Sequence, residues 1–295
     1  DEGRKSKAAS YYFDTSTFIA SDIYEFDFIP FAFTYTKIGF FVNSNTSIEA
    51  LVKCNNQLKE NMDVEEQIIN NRVIRDGDQT KLIKAMLHSD DFLNCDVEII
   101  CKDREHESFD TMLIRKQALQ RLKKIYDNYN LRYVHKYNYN YWLNVEEELI
   151  RCCLNYTYLD KLLEQLLLLS RMDTESRTIQ IIQPLVQINM EWKGVNQTMQ
   201  DTIERAKKVG YYIGKTIKEK NGENKVKSYK NKLINATVSH DRERVLEIML
   251  QLSGYTDGEI STIYDILDNP DNWSDIAISF TNAMIPYTKK EKEEN

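Results

Sequence analysis

Val97-Glu98-Ile99-Ile100-Cys101, a polar stretch over 102–108, Phe109-Asp110-Thr111-Met112-Leu113-Ile114, then Arg115-Lys116-Gln117-Ala118-Leu119-Gln120-Arg121-Leu122: across these residues the apolar pattern changes period. The two apolar runs are short and rich in β-branched and aromatic residues, and a polar turn joins them, which predicts a strand pair. After Ile114 apolar residues recur three and four apart, the spacing of one helix face, and this continues down the chain. It predicts helices near 115–127, 145–154, 157–171, 178–191, 195–219, 226–238, 241–253, 257–267 and 272–284. Upstream, 32–36 and 38–42 read as strands, Ser47 opens a helical pattern that runs to Leu58, and a further helix is expected over 78–88. The class is therefore α+β: a mixed N-terminal domain with short antiparallel strands, followed by an all-helical C-terminal bundle. The polar stretch Arg171-Met172-Asp173-Thr174-Glu175-Ser176 divides them, giving domains 1–176 and 177–295.

Composition narrows the field. Nine Gly and four Pro in 295 residues are too few for a sandwich or propeller with many tight turns. Neither G-x-G-x-x-G nor G-x-x-x-x-G-K-[ST] occurs, so the Gly-rich phosphate loops are missing. A hydrophobic share of 42% with 29% charged residues describes a folded chain able to bury a core. No apolar run approaches a membrane span; Leu166 to Leu169 is the densest patch. Cys54, Cys95, Cys101, Cys152 and Cys153 have no C-x-x-C spacing, which suits a reducing, cytoplasmic setting. The chain opens Asp1-Glu2-Gly3-Arg4 without Met and reads as a fragment.

The net charge of −7 argues against a nucleic-acid partner only until its distribution is read. Residues 203–233 hold ten basic residues (Arg205, Lys207, Lys208, Lys215, Lys218, Lys220, Lys225, Lys227, Lys230 and Lys232) against Glu204, Glu219 and Glu223. Residues 115–136 hold Arg115, Lys116, Arg121, Lys123, Lys124, Arg132 and Lys136 against Asp127. Lys and Arg at this density neutralise phosphates and release counterions, or else form a solvated helix face. The stripe Met199, Ile203, Ala206, Gly210, Ile213, Ile217 places Lys207, Lys208, Lys215 and Lys218 outside the packed side of one helix. Gly210 and Gly214 admit a close neighbour, either another helix or a phosphate backbone. The tyrosines from Tyr126 to Tyr141 and Trp142 suit base stacking beside those cations, and equally the edge of a core.

Catalytic constellations are poor. His88, His106, His135 and His240 lie far apart in sequence, with no H-E-x-x-H or H-x-E spacing, so no metal site is assigned. Asp241 is expected to cap the helix that follows it. Cys152-Cys153 are read as packing residues.

Several segments carry a resemblance. Ile29-Pro30-Phe31-Ala32-Phe33, Phe40-Phe41-Val42-Asn43-Ser44-Asn45 and Ser47-Ile48-Glu49-Ala50-Leu51 with Asn55 resemble the large subunit of type I-B CRISPR effector complexes (Cascade). Phe109 to Ile125, Asn144 to Ile150, Leu159 to Leu163, Lys232 to Ala236, Val245 to Leu252 and Phe280 to Met284 are similar, so the likeness covers most of 29–285. The resemblance implies a non-catalytic subunit that helps recognise the protospacer-adjacent motif, stabilises the R-loop and recruits a helicase-nuclease. It implies guide RNA, target DNA and the backbone and small subunits as partners, with a C-terminal helical part like the small subunit. Some relatives carry paired C-x-x-C zinc motifs; none occurs in this chain, so no cofactor is expected in it. Asn43 and Asn45 suit reading of base edges in a groove, and equally a turn. Residues 1–176 carry 22 basic and 29 acidic residues, which the resemblance leaves to protein neighbours or local patches. Two other classes compete: a metal-dependent nuclease using His240 and Asp241, and a helical protein-interaction scaffold.

Overall fold

A computed structural model of the chain describes residues 33–35, 39–43, 47–70, 78–88, 90–102, 109–137, 142–171, 177–256 and 260–284. The chain folds as two units, 1–120 and 121–295. The polar stretch 172–176, where the sequence suggests a boundary, lies outside the described residues.

The first unit is built on an antiparallel sheet of β1 (Thr34–Tyr35), β2 (Gly39–Asn43), β3 (Val97–Lys102) and β4 (Phe109–Ile114), in that order. Phe40 lies opposite Cys101, Val42 opposite Ile99, and Val97 opposite Ile114. Phe40, Val42, Val97, Ile99 and Ile114 are buried while Leu113 is exposed, so the two-residue period of the strands becomes one buried face. Helix α1 (Ile48–Asn70) and helix α2 (Asp78–Leu87) pack together, and Leu58, Met62, Leu82, Ile83 and Met86 on them are buried. A four-residue helix, α3 (Asp90–Leu93), leads into β3.

Asn55 ties α1 to the sheet. Its Oδ1 accepts from the Val42 N–H at 2.9 Å and its Nδ2 donates to the Val42 carbonyl at 2.8 Å. Among the described residues β1 pairs with Gly39 and Phe40, and the Asn55 side chain supplies partners for both the N–H and the carbonyl of Val42.

Among its described residues the second unit is helical apart from one hairpin. Helix α4 (Lys116–Asn128) begins in the first unit and ends in the second. After it come β5 (Val134–Lys136) and β6 (Trp142–Asn144), paired antiparallel. Asn144 caps α5 (Val145–Leu154) by accepting from the Glu147 N–H. Next follow α6 (Asp160–Leu169), α7 (Arg177–Trp192), α8 (Gln197–Asn221), α9 (Glu223–Val238), α10 (Arg242–Ser253), α11 (Thr262–Asp268) and α12 (Trp273–Ala283). Helix α12 is the centre of the bundle, with every residue from Asp275 to Asn282 buried against neighbours that include α7, α8, α9 and α11. A helix buried all round has no polar face to give water, and the run Ile276-Ala277-Ile278-Ser279-Phe280 meets that demand.

The α+β class stands, with the short antiparallel sheet early in the chain and helices after it. The hairpin 134–136/142–144 is one departure from the sequence reading, and α1 running on from Leu58 to Asn70 is another. The strands of the hairpin are three residues each, too short to show a period.

Candidate nucleic-acid interface

Helix α8 starts where the Asn196 side chain accepts from the Met199 N–H at 3.0 Å. Its stripe of Met199, Ile203, Ala206, Gly210, Ile213 and Ile217 is buried. The two glycines explain how closely it packs. A Cβ at Gly210 would overlap the Phe280 carbonyl oxygen, and one at Gly214 the Met284 carbonyl oxygen. Of the two neighbours that the glycines admit, the bundle supplies the helix. Gly222, at φ 82°, ends α8 in the left-handed region that glycine tolerates and lets α9 begin at once.

The opposite face of α8 is left to solvent and carries Lys208, Lys215 and Lys218, with the half-buried Lys207 at the margin of the packed stripe. Their acidic partners are close but weak. Lys207 meets Glu204 at 3.3 Å, Lys215 meets Glu219 at 4.0 Å, and Lys218 meets Glu223 at 3.7 Å. Solvent-exposed pairs of this kind contribute ~0–1 kcal/mol, so a phosphate competes with them at small cost. Lys208 makes no ion pair among the described residues. Glu223 is shared at the corner between α8 and α9, with Lys227 at 2.9 Å on its other side. The hydrogen bond from Lys227, then its charge and that of Lys218, hold this carboxyl below its usual range.

On α9 the remaining lysines meet aromatic rings. Lys225 sits 5.5 Å from the Tyr229 ring centre and 5.8 Å from that of Tyr255, and Lys232 sits 5.2 Å from Tyr229. The two rings meet edge to face at 5.6 Å. The Tyr229 hydroxyl donates to that of Tyr255, which raises the pKa of the donor. Accepting that bond, and lying near the Lys225 charge, Tyr255 is lowered. Lys220 donates to the Tyr255 carbonyl at 3.3 Å. Lys230 stands apart from these. It is 2% exposed, and its Nζ has no hydrogen-bond partner among the described residues. Burial alone lowers its pKa to about 8.

Most of the earlier basic group also has a local partner, while the side chain of Lys116 is exposed. Arg115 pairs with Asp96 at 2.9 Å, and the same carboxylate accepts from the Lys116 backbone N–H. That backbone bond and the Arg115 side chain hold Asp96 below its usual range. Arg121 lies 6.0 Å from the centre of the Tyr156 ring, Lys123 pairs with Asp127 at 2.6 Å, and Lys124 pairs with Glu191. The Glu191 bond raises the Lys124 pKa. The tyrosines beside them divide: Tyr133 is core, its hydroxyl 2.5 Å from that of Thr178, whereas Trp142 is exposed.

Asn43 ends β2 and donates to Glu98 at 3.1 Å, while Asn45 lies outside the described residues. Asp241 caps α10 by accepting from the Arg244 N–H at 2.9 Å. Beside it His240, at φ 56°, places Nε2 3.3 Å from Glu164. Cys152 and Cys153 are buried, and burial pushes the Cys153 thiol up to about 12. Among the described residues no three His, Cys, Asp or Glu side chains gather as a metal site requires, and no helix is long and apolar enough to cross a membrane.

Sequence reading passed over two residues on the α8 face, Tyr211 and Tyr212. They are 48% and 60% exposed. The signal was present, since Lys208 precedes the pair by three and four residues and Lys215 follows it by four and three.

A bundle that keeps one long helix face basic while spending its glycines inward has a surface suited to a polyanion. Comparison with known proteins narrows the setting. No curated protein and no solved structure matches the chain. Residues 1–284 match the family described as CRISPR-associated protein Csx8. The match spans nearly the whole chain, and the protein belongs to the Csx8 family of CRISPR-associated proteins.

Proposed function

We propose that the chain is the non-catalytic large subunit of an RNA-guided CRISPR effector complex of type I-B, and that it holds nucleic acid by the phosphate backbone. The observation that carries this is the solvent face of α8. Lys207, Lys208, Lys215 and Lys218 line it in a family that is CRISPR-associated; exposed carboxylates hold three of them only loosely, and Lys208 makes no ion pair among the described residues. In RNA-guided recognition base pairing reads sequence, so a protein subunit needs phosphate and shape contacts more than base contacts. A face of flexible lysines offers the former.

On this reading the partners are guide RNA, target DNA, the backbone and small subunits of the complex, and a separate helicase-nuclease. The first unit contributes to recognition of the protospacer-adjacent motif and the second to R-loop stabilisation. The subunit works in the cytoplasm and needs no metal or cofactor of its own. His240 and Asp241 support the nuclease alternative poorly, because one faces Glu164 and the other caps a helix.

The test begins with co-purification of the chain with the products of its genomic neighbours, followed by sequencing of bound RNA. A ribonucleoprotein with a uniform, repeat-derived guide is the expected result. In that complex, changing Lys207, Lys208, Lys215 and Lys218 to Gln weakens DNA binding evenly across sequences. The log–log salt slope falls by roughly 0.9 for each lysine that meets a duplex phosphate. Recovery as a lone, RNA-free protein, or an unchanged slope, overturns the proposal.

A further inference from the structure

The solvent face of α8 contains more than charge. Tyr211 and Tyr212 are consecutive exposed residues of it, about 100° apart around the axis, and their hydroxyls make no hydrogen bond among the described residues. At helical spacing Lys208 lies one turn before the pair and Lys215 one turn after it. The packed stripe of Ala206, Gly210, Ile213 and Ile217 holds the opposite side of the helix, so the two rings cannot turn inward.

We infer that Tyr211 and Tyr212 form a stacking platform for a single-stranded nucleic acid, with Lys208 and Lys215 holding the phosphates on either side. This rests on the phosphate-binding reading above and names the form of nucleic acid that α8 takes.

Three physical points favour this occupant. Lys208 and Lys215 are seven residues apart, about 10 Å along the axis at 1.5 Å per residue. The two rings lie between these cations along the helix, so a strand whose bases reach the rings has a cation on either side for its phosphates. A duplex hides its base faces in its own stack, whereas unpaired bases present them to aromatic side chains. Tyrosine is enriched at protein interfaces but lysine is depleted from their cores, so the lysines on either side favour a polyanion over a protein partner. A platform of this kind tolerates any sequence, because every base has a π-face.

The experiment uses the full chain at low salt, with a thymidine oligonucleotide and a duplex of equal length as probes. Tyr211→Ala with Tyr212→Ala weakens binding of the oligonucleotide about tenfold or more, and changes duplex binding by less than about twofold. Tyr211→Phe with Tyr212→Phe keeps single-strand affinity within about twofold, because stacking needs the ring and not the hydroxyl. Unchanged melting temperatures confirm that these exposed substitutions leave the fold intact. Lys208→Gln with Lys215→Gln weakens both probes.

Unchanged single-strand binding in the alanine pair, with loss in the lysine pair, overturns the platform and leaves the phosphate-binding reading standing. Equal loss for both probes in the alanine pair also overturns it. No loss in either pair removes the phosphate-binding reading itself. If the alanine pair instead releases a protein subunit from the purified complex with nucleic-acid affinity untouched, the face is a protein contact and the platform is refuted.

Discussion

Replacing Lys230 by Met tests the bundle at its least comfortable residue. The ammonium is 2% exposed and unpartnered among the described residues, and burial takes its pKa from the ordinary 10.5 to about 8. Each pKa step of one is worth ~1.36 kcal/mol between protonation states, so charging this amine in the fold costs about 3 kcal/mol. The folded value lies below the unfolded one. Below pH 8 both states hold the proton and the fold bears the whole cost. Between pH 8 and 10.5 the unfolded chain binds more protons, so stability rises with pH. Above 10.5 the cost is gone. Lys230→Met therefore removes a charging cost of about 3 kcal/mol at pH 7, an advantage over wild type that shrinks as the pH rises to 10.5. Urea unfolding read by tryptophan fluorescence measures this, because Trp142, Trp192 and Trp273 all lie in the second unit. Comparing variant with wild type at each pH removes the other titrating groups. A variant less stable at pH 7, or a constant difference between pH 7 and 10.5, refutes the reasoning.

Gly214→Ala forces a Cβ onto the Met284 carbonyl oxygen, a backbone atom with little freedom to yield, and lowers stability by about 1–3 kcal/mol in the same urea assay. Asn55→Ala leaves the buried N–H and C=O of Val42 without their side-chain partner, costing about 2–3 kcal/mol; hydrogen exchange at the Val42 amide accelerates in step. Asp241→Ala removes the cap of α10 and costs about 1 kcal/mol, read as a lower urea midpoint with an unchanged slope.

Much of the architecture was legible along the chain. Helix α5 falls on the residues its pattern predicts, 145–154, because Asn144 and the acids Glu146, Glu147 and Glu148 mark its start and apolar residues recur at helical spacing within it. Strands β3 and β4 were equally plain, since a period of two with one buried face needs only local sequence. The start of α6 differs by three residues, the pattern extending the helix back to 157 while the structure starts it at Asp160. There the Asn189 side chain accepts the Leu159 N–H at 2.7 Å, a bond across 30 residues that local sequence cannot foresee.

The candidate site divides in the same way. Basic density over 203–233 and the apolar stripe of α8 follow from residue type and the 3.6-residue turn, so sequence alone determined that Lys207, Lys208, Lys215 and Lys218 lie outside the packed stripe. It did not separate Lys230 from its neighbours. Whether a lysine reaches solvent depends on which helices flank it, and the packing of α9 against α8 and α12 belongs to the folded bundle. Nor did it choose between a helix and a phosphate as the occupant beside Gly210 and Gly214; the carbonyls of Phe280 and Met284, some seventy residues away, settle that. Local propensity and periodicity belong to the chain as written. Contacts between distant segments exist only once those segments have packed, and the tertiary structure therefore decided which cations are buried, which are paired and which remain on the surface.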